Sequence, residues 1–466
     1  MKQLITALVV AGALGALGAP GAAGATGAAG AVTGVQAAHI YAIQGARIVP
    51  VSGAVIDSGT IVFVDGVIAA VGANVSVPVG AQVLAGQGLT VYPGLIDMGS
   101  TAGLTMPAAP RVENPETRAD VERVKANYLL RAQLRAADLV DPTAAALSRA
   151  ASAGITSVLA TPSGDAIRGQ SALISTALPS DEPQIGAVAD ERQGLMVLKT
   201  PVALHVTFSR QPAGGSAYPN SLMGVIAFVR QAFLDAQHFA AAQKLQGGAA
   251  PPAGSGAVRP HYQPAFEAMQ PALAGRLPVA FEGETAREIL RGLNMAKSFT
   301  LDPIITNGRE AGEVVADLKA ANARVILSLN YPTRPENLAP DADEPLRALR
   351  DRANAPKTAA ALASAGVPFA FATAGLNEPA DFVKNAAKAV QSGLSREDAL
   401  RALTLQAATI AGAADRLGSL ETGKIANVLV TEGELFDEKM QIKHVFVAGR
   451  PITIEPPASE GNRRGQ

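Results

Sequence analysis

The chain contains no cysteine and no tryptophan, and only six of its 466 residues are tyrosine. Without cysteine there is no disulfide, no thiol nucleophile and no thiolate metal site. The absence of tryptophan and the few tyrosines argue against a platform for stacking sugars or bases. Charge of either sign is not in excess: 39 basic and 40 acidic residues leave a formal net charge of −1. No basic field exists to hold a polynucleotide, and no nucleic-acid partner is expected. Apolar runs long enough to cross a membrane are missing beyond the N-terminus, so no stable span is expected in the mature chain.

What is present is a large apolar fraction, 48 %, enough for a substantial core. Lys2 is followed by an apolar run, Leu4 to Leu17, and then by Ala/Gly-rich sequence to about Ala38. A positive start, a short apolar stretch and small residues after it describe a secretory signal. The expectation is export to the periplasm or the extracellular space, with cleavage after Ala19, Ala23 or Ala38. An N-terminal anchor is the alternative.

Residues 39–90 read as short strands (Ile40–Ile48, 60–64, 67–71 and 82–84) separated by turn residues such as Asp65-Gly66. Residues 427–431 and 444–447 near the C-terminus are similar β-branched runs. Two strand-rich ends predict one small β-domain built from both termini, 39–90 and 417–455. Between them, residues 91–416 alternate strand and helix. Strands are expected at 156–160, 278–282, 302–306, 324–329 and 367–373, with helices at about 310–321, 357–365, 379–391 and 396–411. Ser395 with Asp398 makes an N-terminal cap. Tyr218 to Ser221 begin a helix over 222–239, residues 245–260 form a surface loop, and the tail 456–466 is disordered. This alternation predicts an α/β fold, a (β/α)8 TIM-like barrel carrying a small composite β-domain.

Three segments carry a resemblance. Residues 91–104 read Val-Tyr-Pro-Gly-Leu-Ile-Asp-Met-Gly-Ser-Thr-Ala-Gly-Leu. Residues 417–430 read Leu-Gly-Ser-Leu-Glu-Thr-Gly-Lys-Ile-Ala-Asn-Val-Leu-Val, and 445–452 read Val-Phe-Val-Ala-Gly-Arg-Pro-Ile. Together they resemble the metal-dependent amidohydrolase superfamily, in its imidazolonepropionase-like or prolidase-like branch. The first is similar to that superfamily's Pro-Gly-hydrophobic-Ile-Asp-x-His-x-His strand. The resemblance implies a hydrolase of amide, cyclic-amide or dipeptide bonds, with a divalent ion at the C-terminal mouth of the barrel. Pro93 to Asp97 match, but the two histidine positions hold Gly99 and Thr101. By the same resemblance Glu282 stands where a histidine is expected, Asn307 or Thr306 where the next is, and Ala374 where the last aspartate is. Lys199 is the nearest candidate for a bridging lysine.

Five histidines remain, at 39, 205, 238, 261 and 444. His205 lies in an apolar run, where a lone histidine ordinarily makes routine hydrogen bonds. On the strand ending at Glu282, Ala280, Glu282 and Glu284 fall on one face. If that face is the interior, Glu282 and Glu284 are a candidate catalytic pair, sharing a proton or holding a hard cation with Thr101 and Asn307. The structural alternative has Glu284 capping the next helix and Glu282 pairing with an arginine such as Arg309. In the turn-rich stretch 162–171, expected as a mouth loop, Asp165, Arg168 and Ser171 are candidate ligand contacts, and Thr101, Asn307 and Arg309 are further ones. Two readings stay open. In one, an exported relative has lost metal-dependent C–N hydrolysis and binds a small molecule or peptide, with no cofactor. In the other, a hydrolase works around Glu282 and Glu284, and a divalent metal belongs only there. Homo-oligomerisation is left open.

Overall fold

The structure, a computed structural model, describes residues 39–108, 117–176, 188–189, 196–208, 219, 221–246, 263–339 and 341–454. The expected signal segment, the surface loop over 247–260, Tyr218, Asn220, His261 and the tail beyond 454 lie outside these residues.

An eight-stranded sheet joins the two ends of the chain. Its order is Arg450–Ile452, Gln441–Val447, Val428–Glu432, Leu89–Pro93, Ile40–Ile48, Ile56–Val64 and Val67–Gly72, with Gln82–Ala85 also paired to Ile40–Ile48. The antiparallel ladder between Leu89–Pro93 and Val428–Glu432 sets Val428 opposite Pro93 and Leu429 opposite Tyr92. The three segments that carry the family resemblance thus meet in this sheet. Phe63 packs against Phe446 at 5.0 Å between ring centroids, over buried Ile43, Ile61 and Val430. Alternation along these strands supplies that apolar face.

Gly94 marks the exit from this sheet. A Cβ there would lie 2.3 Å from the Thr156 side chain, so only glycine lets the next strand, Leu95–Ser100, run this close to Ile155–Ala160.

Two further sheets follow. One has the order 188–189, Met196–Lys199, Ala172–Ser175, Ile155–Ala160, Leu95–Ser100. The other runs Phe369–Ala372, Arg324–Ser328, Pro303–Thr306, Val279–Glu282, Leu204–Val206, Ile167–Gln170. From Leu204 to Ala372 the second sheet is parallel, its strands linked through helices as the sequence pattern predicts. The sheets meet at Ser171, where the chain passes from one to the other. They meet again at Asp97, whose carboxylate accepts hydrogen bonds from the Thr373 N–H (2.8 Å) and hydroxyl.

One departure from an all-parallel wall stands out. The stretch 162–171, expected as a loop, is partly strand. Ile167–Gln170 and Ala172–Ser175 run antiparallel to Leu204–Val206 and Ile155–Ala160 respectively. The cause is the connection: residues 161–166 are too few for a helical crossover, so the chain can only fold straight back.

Side chains sort by strand alternation. Val279 and Phe281 face the helices, where Gly292 leaves a Cβ only 2.9 Å from Phe281. Ala280, Ile96, Met98, Leu159, Ile304, Ile326 and Ala370 form the interior layer. The helix expected over 310–321 is a short 3₁₀ turn, Ala311–Glu313, then Val315–Ala320. The helix expected over 396–411 breaks at Thr404 into Arg396–Leu403 and Leu405–Ala411. Ser395 caps the first, its hydroxyl accepting from the Asp398 N–H at 3.0 Å.

Candidate functional site

The apolar interior gives way to polar side chains at the C-terminal ends of the strands. There a cavity of about 280 Å³ is lined by Thr101, Arg168, His205, Glu282, Asn307 and Thr373, with Met98 and Ile326 beneath. Each position follows from register. His205 is paired with Ala280, so it shares that residue's inward face, and Glu282 stands two residues further along the same face.

Arg168 and Glu282 form an ion pair across the cavity; their side chains are 16 % and 25 % exposed. The Arg168 Nε donates to the Gly164 carbonyl at 2.7 Å. Asn307, in the left-handed conformation at φ 65° that asparagine tolerates, donates from Nδ2 to Glu282 Oε1 at 3.1 Å. Both Glu282 oxygens are therefore engaged.

His205 is 3 % exposed, and its Nε2 has no hydrogen-bond partner among the described residues. Burial first, and the Arg168 charge second, push its pKa down to about 3. The ring is neutral at physiological pH. This has a measurable consequence. In the unfolded chain the ring titrates near 6.5, so below that pH the unfolded state takes up a proton the folded state refuses. Stability is then intact above pH 6.5 and falls as pH drops toward 3. Wild-type protein is expected to lose about 2 kcal/mol more than His205→Gln between pH 7.5 and pH 5, read from urea midpoints.

The other candidates separate from this group. Glu284 is exposed and pairs with Arg309 at 3.1 Å. It does not join Glu282, although both lie on alternate positions of one segment. The helix cap assigned to Glu284 in the structural alternative belongs to Thr285, whose hydroxyl accepts from Glu288 N–H in a capping box. The arginine beside Glu282 is Arg168, not Arg309. Asp165 is buried beside Arg131 rather than at the cavity. Ser171 is buried, its hydroxyl 3.4 Å from the Ala203 carbonyl. Lys199 is exposed and does not line the cavity. His205 is the residue that sequence reasoning set aside. Its signal was there: one polar residue between buried Leu204 and Val206 on a short strand, where alternation sends it to the opposite face.

Residues 303–452 match the amidohydrolase family. Among solved structures, an amidohydrolase from Thermotoga maritima MSB8 superposes with a TM-score of 0.70 at 23 % identity, over 89 % of this chain and 99 % of that one. A prolidase complexed with N-methylphosphonate-L-proline gives a TM-score of 0.50 at 18 % identity, over 89 % and 99 %. At these identities the likeness is one of fold. No curated protein matches the sequence.

The resemblance to metal-dependent amidohydrolases implies a divalent metal, and the donor set of the described residues does not fit one. A metal site of this kind needs several neutral imidazoles and carboxylates converging on one point. Among the described residues no three His, Asp or Glu side chains do so. The histidine positions of the first strand are Gly99 and Thr101. Glu282, the one acid lining the cavity, is held by Arg168 and Asn307. A second cation beside the Arg168 guanidinium would meet like-charge repulsion.

Proposed function

We propose that this protein is an exported amidohydrolase-superfamily relative that has lost metal-dependent C–N hydrolysis and binds a small polar molecule or peptide. The ligand site is the cavity at the strand ends, at the mouth of a (β/α)8-type barrel with one reversed stave. The observation that carries this reading is the Arg168–Glu282 ion pair, which commits the cavity's acid to a guanidinium. The pair and a neutral His205 leave the cavity without net charge. Among the described residues the Arg168 Nη1 and the His205 Nε2 have no protein partner, and both are groups that can turn to a ligand. A neutral or zwitterionic ligand of dipeptide size suits this volume and polarity; a prolidase of similar fold is complexed with N-methylphosphonate-L-proline. A hydrolase built on Glu282 and Glu284 as a pair is not favoured, because Glu284 turns to Arg309.

The test is metal analysis of protein purified without chelator, with a thermal-shift and hydrolysis panel of dipeptides and small amides. The expected result is no stoichiometric divalent ion, no turnover, and a saturable ligand whose stabilisation disappears in His205→Gln. A stoichiometric ion that is lost in Glu282→Gln together with measurable hydrolysis would overturn the proposal. N-terminal sequencing of the secreted protein tests export.

A further inference from the structure

The cavity at His205 opens sideways. It shares Asn307, Ala374 and Gly375 with a second space of about 200 Å³. That space in turn shares Arg309, Ala355 and Thr358 with a cleft of about 970 Å³ between the helices Ala286–Phe299 and Leu346–Asn354. The cleft's bottom is made of small residues, among them Ala286, Gly312 and Ala361. Its walls are cationic: Arg287 and Arg291 on one helix, Arg347 and Arg350 on the other, Lys357 just beyond.

The carboxylates in the same cleft offset only part of this charge. Glu288 accepts from the N–H groups of Glu284 and Thr285. Glu310 accepts from Ala286 N–H at 2.8 Å and lies 3.5 Å from Arg347. Asp351 lies 4.0 Å from Arg347, and Glu313 is exposed. Arg291 stacks over the Phe208 ring at 5.7 Å. By contrast, Arg287, Arg350 and Lys357 form no ion pair with any described residue.

The second helix adds an independent observation. Leu346–Asn354 has no buried residue, so apolar packing does not explain its position. Arg352 on the helix and Arg334 ahead of it both pair with Glu344, whose side chain is 4 % exposed, and Arg347 reaches across to Glu310 at 3.5 Å. The helix is held by polar contacts, and its Arg350 lines the same cleft as Arg287 of the other helix. Like charges facing across a cleft raise its free energy until an anion enters between them.

We propose that this cleft binds a small polyanion carrying at least two negative charges on phosphate or carboxylate groups, between Arg287 on one side and Arg350 and Lys357 on the other. The site is separate from the His205 cavity and does not depend on that cavity's ligand.

Isothermal titration of the full chain with inorganic pyrophosphate and with citrate tests it and distinguishes the two anion chemistries. With either probe, saturable binding is expected with a Kd below about 1 mM at low salt. Affinity should fall roughly tenfold or more in Arg287→Gln/Arg350→Gln and in about 0.5 M NaCl, while His205→Gln leaves it unchanged. Lys357→Gln, a single exposed substitution, provides a second variant that keeps the fold. Pyrophosphate binding alone identifies a phosphate site, citrate binding alone a carboxylate site. The proposal is overturned if neither anion saturates, or if the folded variants bind as tightly as wild type.

Discussion

Replacing Asp97 with alanine is expected to destabilise the protein by about 3 kcal/mol, the larger part of the margin of an ordinary domain. Asp97 is 1 % exposed and receives hydrogen bonds from the Gly99 N–H at 3.0 Å, the Thr373 N–H at 2.8 Å and the Thr373 hydroxyl, with the Ser100 side chain a further donor. Burial pushes its carboxyl pKa up, and these donors pull in the opposite direction. Alanine leaves two backbone N–H groups without an acceptor at the seam between the first and last strands of the wall. Asparagine is a gentler change. Its one carbonyl oxygen can take over Oδ1, which already receives both N–H groups, and the Thr373 hydroxyl can rotate to accept from the new amide. Asp97→Asn is therefore expected to cost about 1 kcal/mol. Urea midpoints at pH 7 with unchanged m-values check both. Equal losses for the two variants would mean that the charge, not the hydrogen-bond pattern, holds the seam.

Much of this architecture is legible in the residues, for local reasons. Ile40–Ile48 is an isoleucine-rich run followed by strands that turn residues such as Asp65-Gly66 separate. Ser395 and Asp398 are a cap that needs no tertiary information. Ala280 and Glu282 share the inward face because a strand has a period of two. The hidden parts are those set by distant partners. The stretch 162–171 is rich in Pro, Ser, Gly and Asp, which reads as a loop. Only the shortness of 161–166 forces it back as a strand between two others, and that depends on where the preceding strand ends. His205 could face either way until its pairing with Ala280 is known. Glu284 is one residue past the end of its strand, where alternation no longer governs direction. The helix break at Thr404 is likewise invisible in the apolar pattern, which runs on through it. Its residue adopts φ −136° and ψ −96°, and its hydroxyl returns to the Leu400 carbonyl.

Arg168 stands on the reversed strand Ile167–Gln170 and lines the cavity, and its removal should be felt twice. In Arg168→Met, Glu282 keeps the Asn307 hydrogen bond but loses its countercharge in a cavity where it is three-quarters shielded. Fully buried pairs broken on one side cost more. With this much solvent contact the expected loss is about 2 kcal/mol at pH 7. The double variant Arg168→Met/Glu282→Gln removes the stranded charge and retains an acceptor for Asn307, so it should recover about half of that loss. The second effect falls on His205. Burial is the main cause of its depressed pKa and the Arg168 charge the lesser one. Without the guanidinium the folded-state pKa rises toward 6.5 and the penalty of keeping the ring neutral shrinks, so the decline in stability between pH 6.5 and pH 3 should be shallower than in wild type. Glu282→Gln alone leaves Arg168 beside His205 without its neutralising partner and should shift the imidazole the opposite way. Urea titrations of the three variants across pH 7.5 to pH 4 measure both effects. Parallel pH profiles for all of them would show that Arg168 and His205 do not share one cavity.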